Sequence, residues 1–227
     1  MSLGRAQVTL KIAASLDGRI ALGSGESRWI TGEAARADGH RLRARVDAVM
    51  VGSGAAVADD PALTVRLPGY DGRQPIRIVL DGRGRLSPQA DLVRTAEAIA
   101  TWVFARPDAV AGLSDRLDQT GVRVSAAPAG GRGEGVDPNA VLTTCSEAGV
   151  GSVLLEGGGQ VAASFLSADC VDEIVWYVAP LVLGADARPA LGPLGLEKLT
   201  AAPNFAITGV DRFDADTRFT LTRRSAS

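Results

Sequence analysis

The chain has 227 residues, of which 46% are hydrophobic and 22% charged, with a formal net charge of -2. This length supports one substantial core, so we expect a single domain over residues 1–227, its core at about 6–224. The small net charge gives no global field to attract nucleic acid or an anionic membrane, which disfavours both partners.

The cysteine content and the N-terminal sequence indicate the compartment. Cys145 and Cys170 are the only cysteines and form no CxxC pair, so we expect two reduced thiols, no structural zinc site and no other metal. The start, "MSLGRAQVTLKIAAS", has no basic segment followed by a long apolar run, and no stretch approaches the ~18 apolar residues of a membrane span. A soluble, cytoplasmic protein is predicted.

Short apolar runs alternate with helical patterns along most of the chain. The predicted strands are 8–13, 47–52, 76–81, 101–104, 122–125 and 152–156. The predicted helices are 31–45, with Thr31 as N-cap and Glu33 in the first turn, then 109–119, 138–148 and 159–168. Because several strands are almost continuously apolar, both faces of the sheet should be covered by helices, as in an α/β layer fold.

The C-terminal part has a different pattern. Three strand patterns occur in "EIVWYVAP", "NFAITGVDRF" and "TRFTLTRR", and no helix-length segment separates the last two. An antiparallel addition to the sheet is therefore predicted. Residues 69–74 and the Gly-rich segment 127–135 are predicted surface loops.

A Gly- and Ser-rich stretch, residues 15–32, separates the first strand from the first helix. It is too long for a simple turn, and Trp29 near its end offers a face for stacking or shielding. The alternative is that Trp29 is a hydrophobic staple ahead of the Thr31 cap.

The segment "VGSGAAVADDPALTVR", residues 51–66, also leaves a strand through glycines. Gly52 and Gly54 permit a ligand to approach the backbone closely, and Arg66 could clamp a phosphate. Asp59 and Asp60 could cap a short helix or bind hydroxyl groups. An ordinary Asx turn at these two acids is the strong alternative.

The stretch "LLEGGGQVAASFL", residues 154–166, runs from a strand end through Glu156 and three glycines into a helix. A glycine turn at a helix N-terminus favours a phosphate or pyrophosphate. The spacing is neither the dinucleotide fingerprint GxGxxG nor a P-loop. A tight turn that needs small residues remains an equal alternative, although Glu156 suggests an acid facing another polar part of the ligand.

Two residues of the first helix give weak signals. Arg43 alone is more often part of a solvated face than a ligand, and His40 is interpreted as an ordinary solvated or partly packed histidine without a role.

Six motifs in order carry a family resemblance: "VTLKIAASLDGRIA", "GESRWITG", "VGSGAAVADDPALTVR", "QPIRIVLD", "LLEGGGQVAASFL" and "VDEIVWYVAPLVLGADARPALG". Over nearly its whole length the chain resembles the reductase domain of the bifunctional deaminase/reductase of riboflavin biosynthesis, in the dihydrofolate-reductase-like family. The resemblance implies NADPH-dependent reduction of 5-amino-6-(5-phosphoribosylamino)uracil to its ribitylamino product. It also implies that family's fold, and a homodimer formed through the "EIVWYVAP" strand region.

The resemblance also implies site residues. Those for the substrate are Ser27, Arg43, Leu63, Arg66 and Glu156. Those for NADPH are Ala13, Trp29, Ala55, Asp59, Gly82, Gly158, Gly159, Gln160, Val161, Ala162, Ala163 and Ser164. Ala55 stands where the family often has Thr, and Gly82 where a Ser can occur, so each position lacks a hydroxyl. The arginines of residues 81–85 are candidates for the cofactor's 2′-phosphate.

The implied chemistry is hydride transfer to C1′ of the ring-opened ribose, held as an imine. Lys11, Asp59 and Glu156 are the catalytic candidates: Lys11 stabilises charge or donates a proton, and the two acids orient polar groups. The zinc pattern of the family's deaminase, HxE with PCxxC, is absent, so no deaminase domain is expected in residues 1–227, and a deaminase domain or protein is a pathway partner. The alternatives are a paralogue that reduces another heterocycle or carbonyl with NADPH, and a non-catalytic nucleotide-binding module.

Overall fold

A computed structural model describes residues 4–131 and 135–224, so the predicted loop at 127–135 lies partly outside the described residues. The strands are β1 (Gln7–Ser15), β2 (Arg19–Ala21), β3 (Ala48–Gly52), β4 (Ile76–Leu80), β5 (Thr101–Ala105), β6 (Arg123–Ala126), β7 (Ser152–Leu155), β8 (Glu173–Ala179), β9 (Arg188–Pro189), β10 (Phe205–Phe213) and β11 (Asp216–Arg223). The helices are α1 (Glu33–Arg43), α2 (Ser53–Asp59), α3 (Asp91–Arg94), α4 (Pro107–Arg116), α5 (Pro138–Glu147) and α6 (Gly159–Ser167).

A nine-stranded sheet organises the molecule, in the order β10-β11-β8-β1-β7-β3-β4-β5-β6. Every neighbouring pair from β8 to β6 is parallel. The pairs β8–β11 and β11–β10 are antiparallel, which confirms the predicted C-terminal addition. A separate antiparallel pair joins β2, which lies in the segment 15–32 predicted as a long loop, to β9.

Helices cover both faces of the sheet, as predicted. In β3, Met50 belongs to one buried apolar cluster with Leu142 of α5 and Phe165 of α6. The next residue, Val51, belongs to the opposite cluster with Leu113 of α4. Successive side chains of a strand point to opposite faces, so each face of the central strands is apolar and each is packed under helices.

The start of α1 differs from the prediction. The N-cap is Gly32, and no side chain caps the helix, so the prediction of Thr31 as N-cap is wrong. The Gly32 N–H instead donates to the Asp216 carboxylate of β11 at 2.7 Å. The staple interpretation of Trp29 is wrong as well, because this residue is 64% exposed. A contact distant in sequence sets this helix boundary.

The short helix α2 gives Asp59 and Asp60 different roles. Asp59 is its last residue, and Asp60 is the C-cap in the left-handed region at φ 40°. The carboxylate of Asp60 accepts from the Asp91 N–H at 2.8 Å, at the start of α3. Asp60 therefore ends α2 and connects it to the start of α3 through this hydrogen bond.

Some remaining expectations concern β8, the cysteines and the membrane. β8 lies between β1 and β11, so both its backbone edges are already paired, and the outer edge on that side belongs to β10. Cys145 and Cys170 are buried free thiols, and burial raises the pKa of Cys145 to about 12. In the described ranges, no helix is long and apolar enough to cross a membrane, and no His, Cys, Asp and Glu cluster could hold a metal ion.

Candidate active site

The candidate residues gather where four adjacent parallel strands end. β1, β7, β3 and β4 are consecutive in the sheet, so their carboxyl ends share one edge. Ala13 lies near the end of β1 and Glu156 directly follows β7. Ala55 lies on α2, immediately after β3, and the buried Gly82 follows β4. The topology thus brings together residues from distant parts of the chain.

Glu156 is held by a two-point ion pair with Arg43, the last residue of α1. Arg43 Nε lies 2.6 Å from Oε1 of Glu156, and Nη2 lies 3.0 Å from Oε2. The two side chains are only 14% and 12% exposed. Arg43 is therefore not part of a solvated face: its planar fork fixes the direction of the carboxylate.

The Glu156 carboxylate stays ionised. Burial by itself raises the pKa of this carboxyl. The charges of Arg43 and Lys11 and the hydrogen bonds from Arg43 outweigh burial and lower the pKa to about 2. Burial also lowers the pKa of Arg43, and the carboxylate outweighs this and raises it. At neutral pH, Glu156 can accept hydrogen bonds but has no proton to donate.

Lys11 lies beside this pair. The register of β1 on β7 joins Leu10 to Leu155, so the next residues, Lys11 and Glu156, are level with each other. Lys11 Nζ lies 3.9 Å from Oε2 of Glu156 and 5.8 Å from the centroid of the Tyr177 ring. The first distance is an ion-pair contact, too long for a hydrogen bond, so the ammonium can donate to a ligand.

A buried network supports the ring beside Lys11. The Tyr177 hydroxyl donates to the Asp38 carboxylate at 2.6 Å, and Arg218 donates to the same oxygen at 2.5 Å. Burial and the Asp38 carboxylate raise the pKa of Tyr177, which keeps the phenol protonated. The Tyr177 ring is therefore an apolar wall beside Lys11, and its hydroxyl is a hydrogen-bond donor to Asp38.

Arg66 and Leu63 lie on the irregular segment after α2. Arg66 is exposed, and within residues 4–131 and 135–224 its guanidinium has no hydrogen bond or ion pair. Leu63 is only 3% exposed and its side chain belongs to the apolar core. His40, to which the sequence assigned no role, accepts from the Arg66 N–H at Nδ1, at 3.2 Å.

Ser27 and Asp59 meet in a separate depression of about 340 Å³, lined also by residues 25, 26, 28 and 58. In the described part of the chain, no hydrogen bond or ion pair joins Asp59 to Lys11 or Glu156. Trp29 is exposed nearby in sequence, and the Arg36 guanidinium lies 4.3 Å from its ring centroid. The Arg28 guanidinium also lies 5.8 Å from this centroid, so two cations flank the exposed indole.

The first turn of α6 is open to an anion. Gly158 is its N-cap, no side chain caps the helix, and no atom lies within 4 Å of where a Gly158 Cβ would be. Ala162 and Ala163 are buried, so only the backbone near them could reach a ligand. Free N–H groups and the helix dipole at such a turn suit a phosphate or pyrophosphate.

The neighbouring glycines are required by the protein itself. A Cβ at Gly157 would lie 2.8 Å from the Val161 Cβ, and one at Gly159 would lie 2.8 Å from the Pro189 carbonyl oxygen. A Cβ at Gly52 would meet Val161 Cγ2 at 2.5 Å. Packing against Val161 is therefore a structural reason for glycine at 52. The tight-turn interpretation therefore applies to Gly157 and Gly159, whereas anion binding at Gly158 stays a prediction.

The loop after β4 contacts the start of α2. Arg85 donates to the Ser53 hydroxyl at 2.9 Å, and the Gly82 carbonyl accepts from the Arg106 N–H at 3.3 Å. The Arg85 guanidinium therefore lies beside Ser53, which precedes Ala55 by two positions in α2. This is the same edge of the sheet as the α6 turn.

Comparisons with known proteins agree on one family. Residues 6–219 match the model of the RibD C-terminal domain. The riboflavin biosynthesis protein RibD of Bacillus amyloliquefaciens is 36% identical over 221 residues, covering 97% of this chain and 58% of the relative. Acinetobacter baumannii RibD has a similar structure, with a TM-score of 0.85 at 34% identity over 99% of this chain and 59% of that one.

A further solved structure is named by its two reactions. It is a diaminohydroxyphosphoribosylaminopyrimidine deaminase/5-amino-6-(5-phosphoribosylamino)uracil reductase from Thermotoga maritima, with a TM-score of 0.80 at 28% identity, covering 97% of this chain and 57% of that one. The chain therefore spans a little over half the length of these relatives.

Proposed function

Because the chain belongs to the RibD C-terminal domain family of riboflavin biosynthesis, we propose that it reduces 5-amino-6-(5-phosphoribosylamino)uracil to 5-amino-6-(5-phosphoribitylamino)uracil with NADPH. The observation that carries this proposal is the ionised Glu156, gripped at two points by Arg43 with the Lys11 ammonium beside it. The Thermotoga maritima relative is named for this reaction.

NADPH, when bound, would supply a hydride from its nicotinamide ring. The open backbone at Gly158 and the uncapped first turn of α6 fit its pyrophosphate, and the exposed face of Trp29 fits a planar ring. Arg85, beside the start of α2, is suited to the 2′-phosphate. The remaining proposed contacts come from Ala13, Ala55, Asp59, Gly82 and residues 159–164.

The substrate has two ends of different chemistry. We assign its phosphate to the exposed Arg66 guanidinium, with Ser27 as a hydroxyl donor. The carboxylate of Glu156 can accept from N–H groups of the pyrimidine, and Arg43 fixes its direction. Leu63, which the family resemblance implies as a substrate residue, is assigned to the same side of the site.

Proton transfer follows from the charge states. Reduction of the imine adds a hydride at C1′ and leaves the nitrogen in need of one proton. Glu156 has no proton to give, because its pKa is about 2. We therefore propose that Lys11 either donates this proton or stabilises the negative charge that develops on the nitrogen. Asp59, in the depression that it shares with Ser27, is proposed to orient hydroxyl groups.

The two departures from the family pattern should weaken cofactor binding modestly. Ala55 and Gly82 each lack a hydroxyl that could donate to the cofactor. One net hydrogen bond is worth about 0.5–1.5 kcal/mol, so we expect a higher KM for NADPH rather than loss of activity.

The chain would act as one reductase domain and, like the family it resembles, as a homodimer. Both backbone edges of β8, the "EIVWYVAP" strand, are already paired, so we move the proposed interface to β10, the outermost strand on that side among the described residues, where Ile207 and Val210 are exposed. A deaminase, as a domain or a separate protein, would act on the same pathway.

An isotope experiment tests the reaction. NADPH carrying deuterium at nicotinamide C4 is incubated with the protein and the phosphoribosylamino substrate, and the product is analysed by mass spectrometry and NMR. We expect one deuterium at C1′ of a ribityl chain, and a loss of turnover of roughly a hundredfold or more in Lys11→Met. Absence of substrate-dependent NADPH oxidation would refute the proposed reaction, and full turnover in Lys11→Met would remove Lys11 from the chemistry.

A further inference from the structure

The segment of residues 63–66, named the substrate-side segment, belongs to no strand. Leu63 and Val65 are buried, at 3% and 5% exposure, whereas Thr64 is half-buried and Arg66 is exposed. This alternation is that of a strand at the edge of a core. Among the described residues, however, no strand is paired with it.

Three side chains replace the missing strand partner. Arg43 Nη1 donates to the Thr64 carbonyl at 2.9 Å. The Gln74 amide bonds both backbone groups of Val65: Oε1 accepts from the N–H at 2.7 Å, and Nε2 donates to the carbonyl at 3.3 Å.

The third side chain is His40. Its Nδ1 accepts from the Arg66 N–H at 3.2 Å. Three consecutive residues, 64, 65 and 66, are thus each held by one side chain from outside the segment.

The segment needs such support because its backbone is strained where it begins. Leu63 has φ 53° and Asp60 has φ 40°, both in the left-handed region that non-glycine residues disfavour. Strain of this kind persists only where surrounding contacts over-determine it. Arg43 contributes to two tasks at once, since it also holds Glu156.

We propose that His40 and Gln74 are positioning residues, which hold the substrate-side segment so that Arg66 faces the substrate beside Glu156. This inference rests on the proposed function. Neither residue needs to touch the substrate, the cofactor or the reacting atoms.

Electrostatics keeps His40 able to accept. A backbone N–H can only donate, so Nδ1 must be unprotonated in this contact. Burial and the facing charges of Arg43 and Arg66 lower the pKa of His40, and the facing charge of Glu156 and a hydrogen bond with the Thr64 backbone oppose them. Protonation at acid pH would remove the acceptor. The KM for substrate should therefore rise as pH falls through the His40 pKa, and this rise should be absent in His40→Leu.

The test uses variants that differ in their ability to bond the backbone. His40→Leu and Gln74→Leu remove the contacts, whereas His40→Asn keeps an acceptor near Nδ1 and Gln74→Glu keeps one facing the Val65 N–H. We expect each Leu variant to raise the KM for the phosphoribosylamino substrate about two- to tenfold, and the double variant to raise it further. The kcat, the KM for NADPH and the Tm should change little. The Asn variant should lie near the wild type, and Gln74→Glu between the wild type and Gln74→Leu, because its carboxylate cannot donate to the Val65 carbonyl.

Each outcome bears on one claim. An unchanged substrate KM in both Leu variants of an active enzyme would overturn the positioning role and leave the reaction intact. Parallel losses of Tm, kcat and both KM values would also overturn it, because they indicate a merely structural role. A wild-type enzyme that does not turn over the substrate would refute the proposed function, and the inference with it.

Discussion

At the scale of single residues, the electrostatics of Glu156 sets an acid dependence of stability. Its pKa falls from an ordinary 4.5 to about 2 in the folded chain. A lowered carboxyl pKa contributes stability that is fully present above the unfolded value and lost as pH falls through the folded value. The window of loss is therefore between about pH 4.5 and pH 2, and the contribution is on the order of 3 kcal/mol.

A comparison with Glu156→Gln isolates that contribution from the other carboxylates. We expect the variant to have a lower free energy of unfolding near pH 7, because Arg43 and Lys11 lose their shared counter-charge. The difference should shrink as pH falls below about 4.5. Urea unfolding at several pH values measures it, and a difference that stays constant with pH would show that Glu156 is not held ionised by its neighbours.

Residues of the site differ in how far sequence reveals them. Lys11 lies within a predicted strand and Glu156 at the end of another, each inside a recognisable motif, and the structure brings the two side chains together. His40 and Gln74 escaped prediction because each acts through the backbone of a residue 26 or 9 positions away, for which no local pattern exists. Such contacts depend on how the loop folds back onto α1.

At the scale of elements, the start of α6 separates ligand binding from packing. Gly158 faces open space, whereas a Cβ at Gly159 would meet the Pro189 carbonyl at 2.8 Å and the Gly192 nitrogen at 3.1 Å. Gly158→Ala should keep its Tm and raise the KM for NADPH, because the methyl group obstructs the approach of the pyrophosphate.

Gly159→Ala serves as the matched variant. It should lower the Tm by several degrees, since backbone must move to admit the methyl group, at a cost of about 1–3 kcal/mol. Differential scanning calorimetry and steady-state kinetics measure both variants. Equal KM values for NADPH in Gly158→Ala and the wild type would argue against cofactor binding at this turn.

Prediction of elements succeeded where burial alone decides. The central strands are apolar on both faces and were located within one or two residues of their bounds. α2 and α3, of seven and four residues, were not predicted as helices, because they are too short for a periodic apolar pattern. The Thr31 cap failed because Asp216, distant in sequence, bonds Gly32 instead.

At the scale of the whole molecule, the sheet order carries the site and is not readable from the sequence. β7 enters between β1 and β3, which places Glu156 next to Lys11. The alternation of strands and helices predicts a parallel sheet. It does not predict between which two strands a strand that comes later in the chain will insert. The α/β class and the antiparallel end were confirmed, whereas the order required the structure.

The proposed homodimer is a second property at this scale. Among residues 4–131 and 135–224, no strand pairs with the outer edge of β10, and Ile207 and Val210 on this strand are 61% and 57% exposed. We expect sedimentation equilibrium to give about twice the chain mass of 23.4 kDa, and a double Ile207→Lys, Val210→Lys variant to sediment as a monomer. A wild type that stays monomeric at micromolar concentration would contradict the dimer, and a dimeric double variant would place the interface elsewhere.

The most direct measurement compares NADPH oxidation, followed by nicotinamide absorbance, in the wild type and in Glu156→Gln with the phosphoribosylamino substrate. We predict substrate-dependent oxidation by the wild type and a fall in kcat/KM of roughly a hundredfold or more in the variant, with NADPH still bound by both as judged from tryptophan fluorescence. Oxidation at the wild-type rate by Glu156→Gln would contradict the role of the carboxylate. NADPH binding without any substrate-dependent oxidation by the wild type would contradict the proposed reaction itself.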